Sequence, residues 1–248
     1  GSAVVDHAGT AGFGAGALLA FYTAAGSAVK PARPFTQCLA YSRDKGEHWT
    51  KFVENPVVDW IEGDNRDPKV IWHSASQQWI MALYLADDRY ALLVSENARE
   101  WQKTQELALP GDTECPDIFS LFDESGAERW IFWSASGRYL LGSFDGKTFA
   151  PETEMQVCER GLNGYAAQTW SNAPAGRCVQ ISWMAGGLYP EMPFNQQMSI
   201  PVELKLKGSG SGAILARQPV AELETLRGAC ITVANTVISP GAHFAVES

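Results

Sequence analysis

Two acidic residues in unusual company are where this 248-residue chain could do chemistry. Glu114 lies in Gly111-Asp112-Thr113-Glu114-Cys115-Pro116-Asp117-Ile118-Phe119, a stretch that suits the start of a strand rather than a helix. Asp67 lies in Asn65-Arg66-Asp67-Pro68, and together the two segments suggest two acids aimed at one sugar-sized site. Cleaving a glycosidic bond takes two acidic side chains on opposite sides of that bond. One protonates the leaving oxygen and the other attacks or stabilises the sugar cation. These residues offer a proton donor and electrostatic support, with Arg66 suited to planar contacts with hydroxyls and carboxylates. Each also has a plainer reading: Asp67 as a strand-start cap, Glu114 as a solvated loop acid, Arg66 as a surface cation.

Other chemistries find little footing. The five cysteines (Cys38, Cys115, Cys158, Cys178, Cys230) are odd in number and widely spaced with no CxxC pair, which disfavours a disulfide framework and a structural zinc site. Most are expected to act as small buried apolar residues. The four histidines show no metal-ligand spacing, so no metal is expected. Gly12-Phe13-Gly14-Ala15-Gly16 lacks the Lys-Ser/Thr ending of a phosphate loop and reads as a flexible loop. A net charge of −9 argues against nucleic acid, which needs clustered Lys and Arg, and favours a neutral polar ligand. No apolar run reaches the roughly 18 residues of a membrane span, so no membrane partner is expected. The N-terminus has neither the basic nor the apolar region of an export signal.

The elements that must position these residues show in a repeat. Ser42-Arg43-Asp44-Lys45-Gly46-Glu47-His48-Trp49 has the form of a tight polar turn followed by an aromatic anchor. Weaker copies run Ser95–Trp101 and Ser143–Phe149. In each, Asp or Asn is expected to accept backbone N–H groups across the turn while the ring packs between layers. A period near fifty residues, rich in strands, indicates propeller blades. The intervening runs Lys69–His73, Trp79–Tyr84, Tyr90–Val94, Trp130–Ser134 and Cys178–Trp183 are short, aromatic and β-branched, as strands are. Ala221–Leu226 suits a short turn of helix. Lys207–Gly212 reads as a hairpin tip, and Ile231–Val233 with Val237-Ile238 as the beginning of a further β element.

Six blocks in order resemble those of glycoside hydrolase family 32, the β-fructofuranosidases. They are Gly1-Ser2-Ala3-Val4, Arg66-Asp67-Pro68, Glu114-Cys115-Pro116, Tyr165-Ala166-Ala167-Gln168-Thr169-Trp170, Ile181-Ser182-Trp183-Met184 and the segment Met192–Pro201. The resemblance implies an all-β fold, a β-propeller of the five-bladed type whose innermost strands deliver these blocks to a central funnel. Inner strands should then begin near Ser2, Asp67, Glu114 and Tyr165. The family's W-M-N-D-P-N-G block, which carries the nucleophilic aspartate in the first blade, has no counterpart here. Residues 1–227 are therefore expected to form about four blades, the second to fifth, with 228–248 the start of a truncated C-terminal β element.

The roles implied by the resemblance are Glu114 as general acid/base and Asp67 as transition-state stabiliser. Arg66, Ser2, Tyr165, Gln168 and Trp183 fall to substrate binding, with no nucleophile in this chain. Trp183 and Trp170 suit a core equally well. Glu114 can donate a proton only if burial or another carboxylate raises its pKa, while Asp67 beside Arg66 should stay ionised. The implied partner is a fructose-containing saccharide (sucrose, levan or inulin), with no cofactor and an extracellular or periplasmic location favoured. Lacking the nucleophile, the chain alone should be inactive. The alternatives are a non-catalytic carbohydrate-binding propeller and a module completed by another chain. An open ring should close more tightly or find a partner, with self-association through the open propeller edge preferred.

Overall fold

The computed structural model describes residues 1–230, 237 and 239–242. Among the described residues, seventeen strands form four antiparallel sheets, each a run of neighbours joined by turns. The first holds β1 (Ser2–Asp6), β2 (Ala17–Ala24), β3 (Thr36–Ser42) and β4 (Thr50–Lys51). The second holds β5 (Arg66–His73), β6 (Gln78–Ala86), β7 (Arg89–Ser95) and β8 (Gln102–Ala108). In the third are β9 (Asp117–Phe122), β10 (Glu128–Trp133), β11 (Arg138–Phe144) and β12 (Phe149–Pro151), with β13 (Gln156–Val157) also paired to β11. The fourth is β14 (Gly164–Thr169), β15 (Val179–Met184), β16 (Val202–Lys207) and β17 (Ile214–Pro219). β1 lies against β5, β5 against β9 and β9 against β14, so the first strand of each sheet faces a common axis. These are four blades of a β-propeller.

Alternation along the middle strands shows what binds blade to blade. A strand points successive side chains to opposite faces, so a sheet covered on both sides must be apolar at every position. β6 is such a strand. Its Trp79, Met81, Leu83 and Leu85 join Val4, Leu19, Phe21 and Leu39 of the first blade. Its Ile80, Ala82 and Tyr84 join Ile118, Trp130 and Phe132 of the third. β10 repeats the scheme, with Ile131 and Trp133 meeting Ala167, Leu204 and Leu206 of the fourth blade. At ~25 cal/mol per Å2, these interfaces supply the main favourable term of the fold.

The repeated turns sit where three blades end their third strands. Asp44 Oδ1 accepts the His48 N–H, Asn97 Oδ1 accepts those of Arg99 and Glu100, and Asp145 Oδ1 those of Lys147 and Thr148. The rings differ. Phe149 is buried and Trp101 meets Phe21 edge-on at 5.8 Å, but Trp49 is 45% exposed, its indole N–H held by the Gly46 carbonyl. The expectation that every ring packs between layers therefore fails at Trp49, whose blade presents that turn to solvent.

Several local readings need correction. Phe13 anchors the glycine-rich loop by stacking on Tyr41 at 4.0 Å, so the segment is seated in the first core. Among the cysteines only Cys38 is buried; Cys115, Cys158 and Cys178 are half-buried and Cys230 is exposed. Inner strands begin at Ser2, Arg66 and Gly164 as anticipated, but the third begins at Asp117, leaving Glu114 on the loop before it. The hairpin at Lys207–Gly212 and a short helix over Ala221–Leu226, of the tighter three-residue kind, are both present. The β element anticipated in the last segment falls largely on 231–236 and 238, outside the described residues.

Candidate active site

Three inner strands meet the site end of the axis through residues in left-handed backbone. Asp67 has φ 62°, Glu114 58°, Cys115 41° and Ala166 53°. This region costs a side-chain-bearing residue about 1 kcal/mol or more, so something must hold each one there. In β5 and β14 the device is a shift in strand register, between Arg66 and Lys69 and between Tyr165 and Gln168. Such a bulge turns a side chain out of the ladder and re-aims it.

Glu114 is fixed from beneath. The buried Asp112 caps its loop, its Oδ1 accepting the Thr113 N–H at 2.9 Å and its Oδ2 the Ser134 hydroxyl at 2.6 Å. Above, Glu114 Oε2 accepts the Tyr165 hydroxyl at 2.5 Å and Oε1 accepts the Arg66 guanidinium. Arg66 Nε stands 3.8 Å from Asp67 Oδ2, and its guanidinium lies 4.8 Å above the Tyr84 ring. Asp67 Oδ2 accepts the Cys115 N–H at 3.2 Å and faces its thiol at 3.5 Å. One cation thus joins the two carboxylates, and the residue after Glu114 grips Asp67. All three charged side chains are half-buried.

The electrostatics follow from these contacts. The Tyr165 hydrogen bond holds Glu114 below the ordinary 4.5; burial opposes this, and the hydrogen bond and charge of Arg66 reinforce it. The rise that proton donation would require is absent, because both nearest groups donate to the carboxylate and stabilise its charged form. Tyr165 is raised, first by burial and then by its bond to Glu114. Burial, with Asp67 adding, pushes the Cys115 thiol up to about 12, which keeps it protonated and unreactive at neutral pH.

The remaining expected binders occupy varied places. Ser2 Oγ donates to the Pro68 carbonyl and accepts the Val70 N–H, both at 2.9 Å, pinning β5 beside Asp67. Trp183 pairs across the sheet with Tyr165, rings edge-on at 6.2 Å, and backs the phenol. Gln168 lies past the bulge opposite Ile181, and Trp170 follows the far end of β14. Sequence reasoning missed Thr23 and Gln37, whose chain of bonds fixes the Asp67 backbone. The Asp67 N–H donates to Thr23 Oγ1 at 3.1 Å, Thr23 donates to Gln37 at 2.8 Å, and Gln37 donates to the Asn65 carbonyl. No motif marks them; their signal is a polar pair on neighbouring strands, with Gln37 buried and Thr23 half-buried, visible only after folding.

Comparisons with known proteins identify the family and the fold. Residues 1–219 match the Glycosyl hydrolases family 32 N-terminal domain. The chain is 35% identical to the levanase of Bacillus subtilis, over 98% of this chain and 39% of that protein. It is 31% identical to the extracellular exo-inulinase of Aspergillus awamori, over 88% of this chain and 50% of that protein. The crystal structure of the A. awamori exo-inulinase superposes with a TM-score of 0.78 at 29% identity, covering 88% of this chain and 52% of that one. The fructofuranosidase of Schwanniomyces occidentalis complexed with fructose gives 0.77 at 26%, covering 89% and 48%. The chain spans about half the length of the curated relatives it matches.

Proposed function

The chain belongs to glycosyl hydrolase family 32, and we propose that the cluster of Arg66, Asp67, Glu114 and Tyr165 is a fructosyl site of the β-fructosidase type, open to a terminal fructose of sucrose, levan or inulin. The observation that carries this is the single guanidinium joining two carboxylates at the shared end of the inner strands. Charged groups already aligned by protein contacts need no reorganisation when charge develops on the sugar. Glu114 is the general acid/base: its proton goes to the glycosidic oxygen as the C–O bond breaks, and the carboxylate then takes a proton from water. Asp67 grips fructosyl hydroxyls and stabilises the sugar cation, and Arg66 and Tyr165 position the ring. Ser2, Gln168 and Trp183 complete the binding surface, Ser2 through β5 and Trp183 through Tyr165.

Retaining hydrolysis also needs an attacking carboxylate about 5–5.5 Å from the acid. Asp67 does not suit that role, since its Oδ2 is turned to the Cys115 backbone and thiol. We assign no nucleophile, and by this reading the chain alone holds fructosyl units and hydrolyses them negligibly. The decisive assay is fructose release from sucrose, inulin and levan by the purified chain and by Glu114→Gln. Turnover close to the uncatalysed rate in both, with fructose binding that Asp67→Ala abolishes, is expected. Robust turnover that disappears in Glu114→Gln would show that another group attacks the sugar.

A second reading, a non-catalytic saccharide-binding propeller, is favoured by the lowered pKa of Glu114, which suits accepting hydroxyl hydrogens better than donating a proton. It is distinguished by the Glu114 titration with fructose bound. A carboxylate that remains ionised near neutral pH in the complex supports binding alone, and one raised toward neutrality supports catalysis.

A further inference from the structure

One layer below the candidate site lies a fully enclosed ion pair that the proposed chemistry does not use. Lys69 of β5 and Asp117 of β9 are 2% and 0% exposed, with Nζ 3.2 Å from Asp117 Oδ1. The ammonium also donates to the Thr169 carbonyl at 2.6 Å and to its Oγ1 at 3.1 Å, so it finds three acceptors for three protons. Asp117 Oδ2 accepts the Thr169 N–H at 2.6 Å, and Oδ1 takes the Thr169 hydroxyl at 3.2 Å. Lys69, Asp117 and Thr169 come from three different blades.

Burying two charges costs several kcal/mol per ion, and well-packed apolar side chains of the same size often do as well or better for stability. What such a pair can supply is registry. β5, β9 and β14 belong to separate sheets, so no ladder of backbone bonds joins them to set their relative heights along the axis. The apolar interfaces between blades are non-directional. A directional polar contact shared by all three strands does fix them.

We propose that Lys69 and Asp117, through Thr169, are positioning residues for the site: they hold β5, β9 and β14 at the heights that bring Asp67, Glu114 and Tyr165 together. Lys69 is the second residue after Asp67, Asp117 the third after Glu114 and Thr169 the fourth after Tyr165. Lys69, Asp117 and Thr169 each lie within four residues of the site residue they serve, at the foot of the bulge or loop that aims it. The proposal deepens the fructosyl reading, on which it rests for the binding readout only.

The test replaces the pair by apolar side chains, Lys69→Met with Asp117→Leu, in the full chain. Three quantities are measured: the thermal midpoint, the titration of the Glu114 carboxyl by NMR, and the affinity for fructose. The expected result is a folded variant with a midpoint close to the parent's. Its Glu114 should titrate higher, because Tyr165 and Arg66 no longer both reach it, and fructose affinity should fall about tenfold or more. A folded variant with unchanged Glu114 titration overturns the proposal. Should the double variant not fold, Thr169→Val decides the matter: it removes only the hydroxyl's two contacts, and an unmoved Glu114 titration there is equally fatal. If the parent chain itself does not bind fructose, the fructosyl reading fails, while the Glu114 titration still judges the positioning role.

Discussion

The Tyr165 hydroxyl donates to Oε2 of Glu114 at 2.5 Å, tying the first strand of the fourth blade to the loop that enters the third. This contact is the largest influence on the Glu114 carboxyl, and it favours the charged form. Tyr165→Phe removes the donor and keeps the ring against Trp183. The Glu114 titration should move upward in the variant, with a stability loss of about 1 kcal/mol measured by urea unfolding. A Glu114 titration identical in both proteins would mean that Arg66 alone sets it.

Glu114 also makes stability depend on acid. Its folded pKa is depressed below the 4.5 of the ordinary side chain, so its contribution is complete above that value and is lost as pH falls through the lower, folded pKa. In Glu114→Gln this term is absent. The stability gap between parent and variant should therefore be constant at neutral pH and shrink as pH drops below 4.5. Equilibrium unfolding at a series of pH values reads this directly, and a gap that widens in acid would contradict the contacts described.

The blade architecture was legible because it is written in local patterns. Continuous apolar runs such as Trp79–Tyr84 state their own strand, and the polar turns after Ser42, Ser95 and Ser143 mark the period. Asp67, Glu114 and Arg66 were legible through their blocks. The contacts that fix them were not. Lys69, Thr23 and Gln37 look like ordinary strand residues until three blades come together. The direction of the Glu114 pKa shift was not legible, because it depends on Tyr165 and Arg66 both donating to the carboxylate. Trp49 and Trp101 occupy the same place in the repeat, yet only Trp101 has a neighbouring blade to meet.

That difference is measurable. Trp101 packs on Phe21 of the first blade, whereas Trp49 rests half in solvent. Trp101→Ala should cost about 3 kcal/mol, the range for removing a packed aromatic ring, and Trp49→Ala about 0.5 kcal/mol. Unfolding midpoints in denaturant would reveal the contrast, and equal losses would refute the assignment of different surroundings to the two rings.

Ala166 isolates the backbone component of the site. It sits in the β14 bulge at φ 53°, where its methyl opposes a left-handed conformation and does no chemistry. Ala166→Gly should raise stability by up to about 1 kcal/mol, and Ala166→Val should lower it by roughly 2 kcal/mol, because a β-branched side chain tolerates this region least. Glycine stabilisation that leaves fructose affinity unchanged would show that the bulge persists without strain. The valine variant should displace Tyr165 and so raise the Glu114 titration as well.

Arg66 is where charge and geometry can be told apart. Its guanidinium donates to Glu114 and to the Asp64 carbonyl, leans toward Asp67, and lies over the Tyr84 ring. Lysine keeps the charge and loses the planar fork, so Arg66→Lys can satisfy one carboxylate but cannot span both. If the site works by general electrostatics, fructose affinity in the variant should barely change. If it works by fixing the directions of Asp67 and Glu114, affinity should fall about tenfold or more, equivalent to one charge-assisted hydrogen bond. We expect the second outcome, read by calorimetric titration of parent and variant at matched ionic strength. An unchanged affinity would leave Arg66 as a source of charge and take away the reason for placing the fructosyl ring against it.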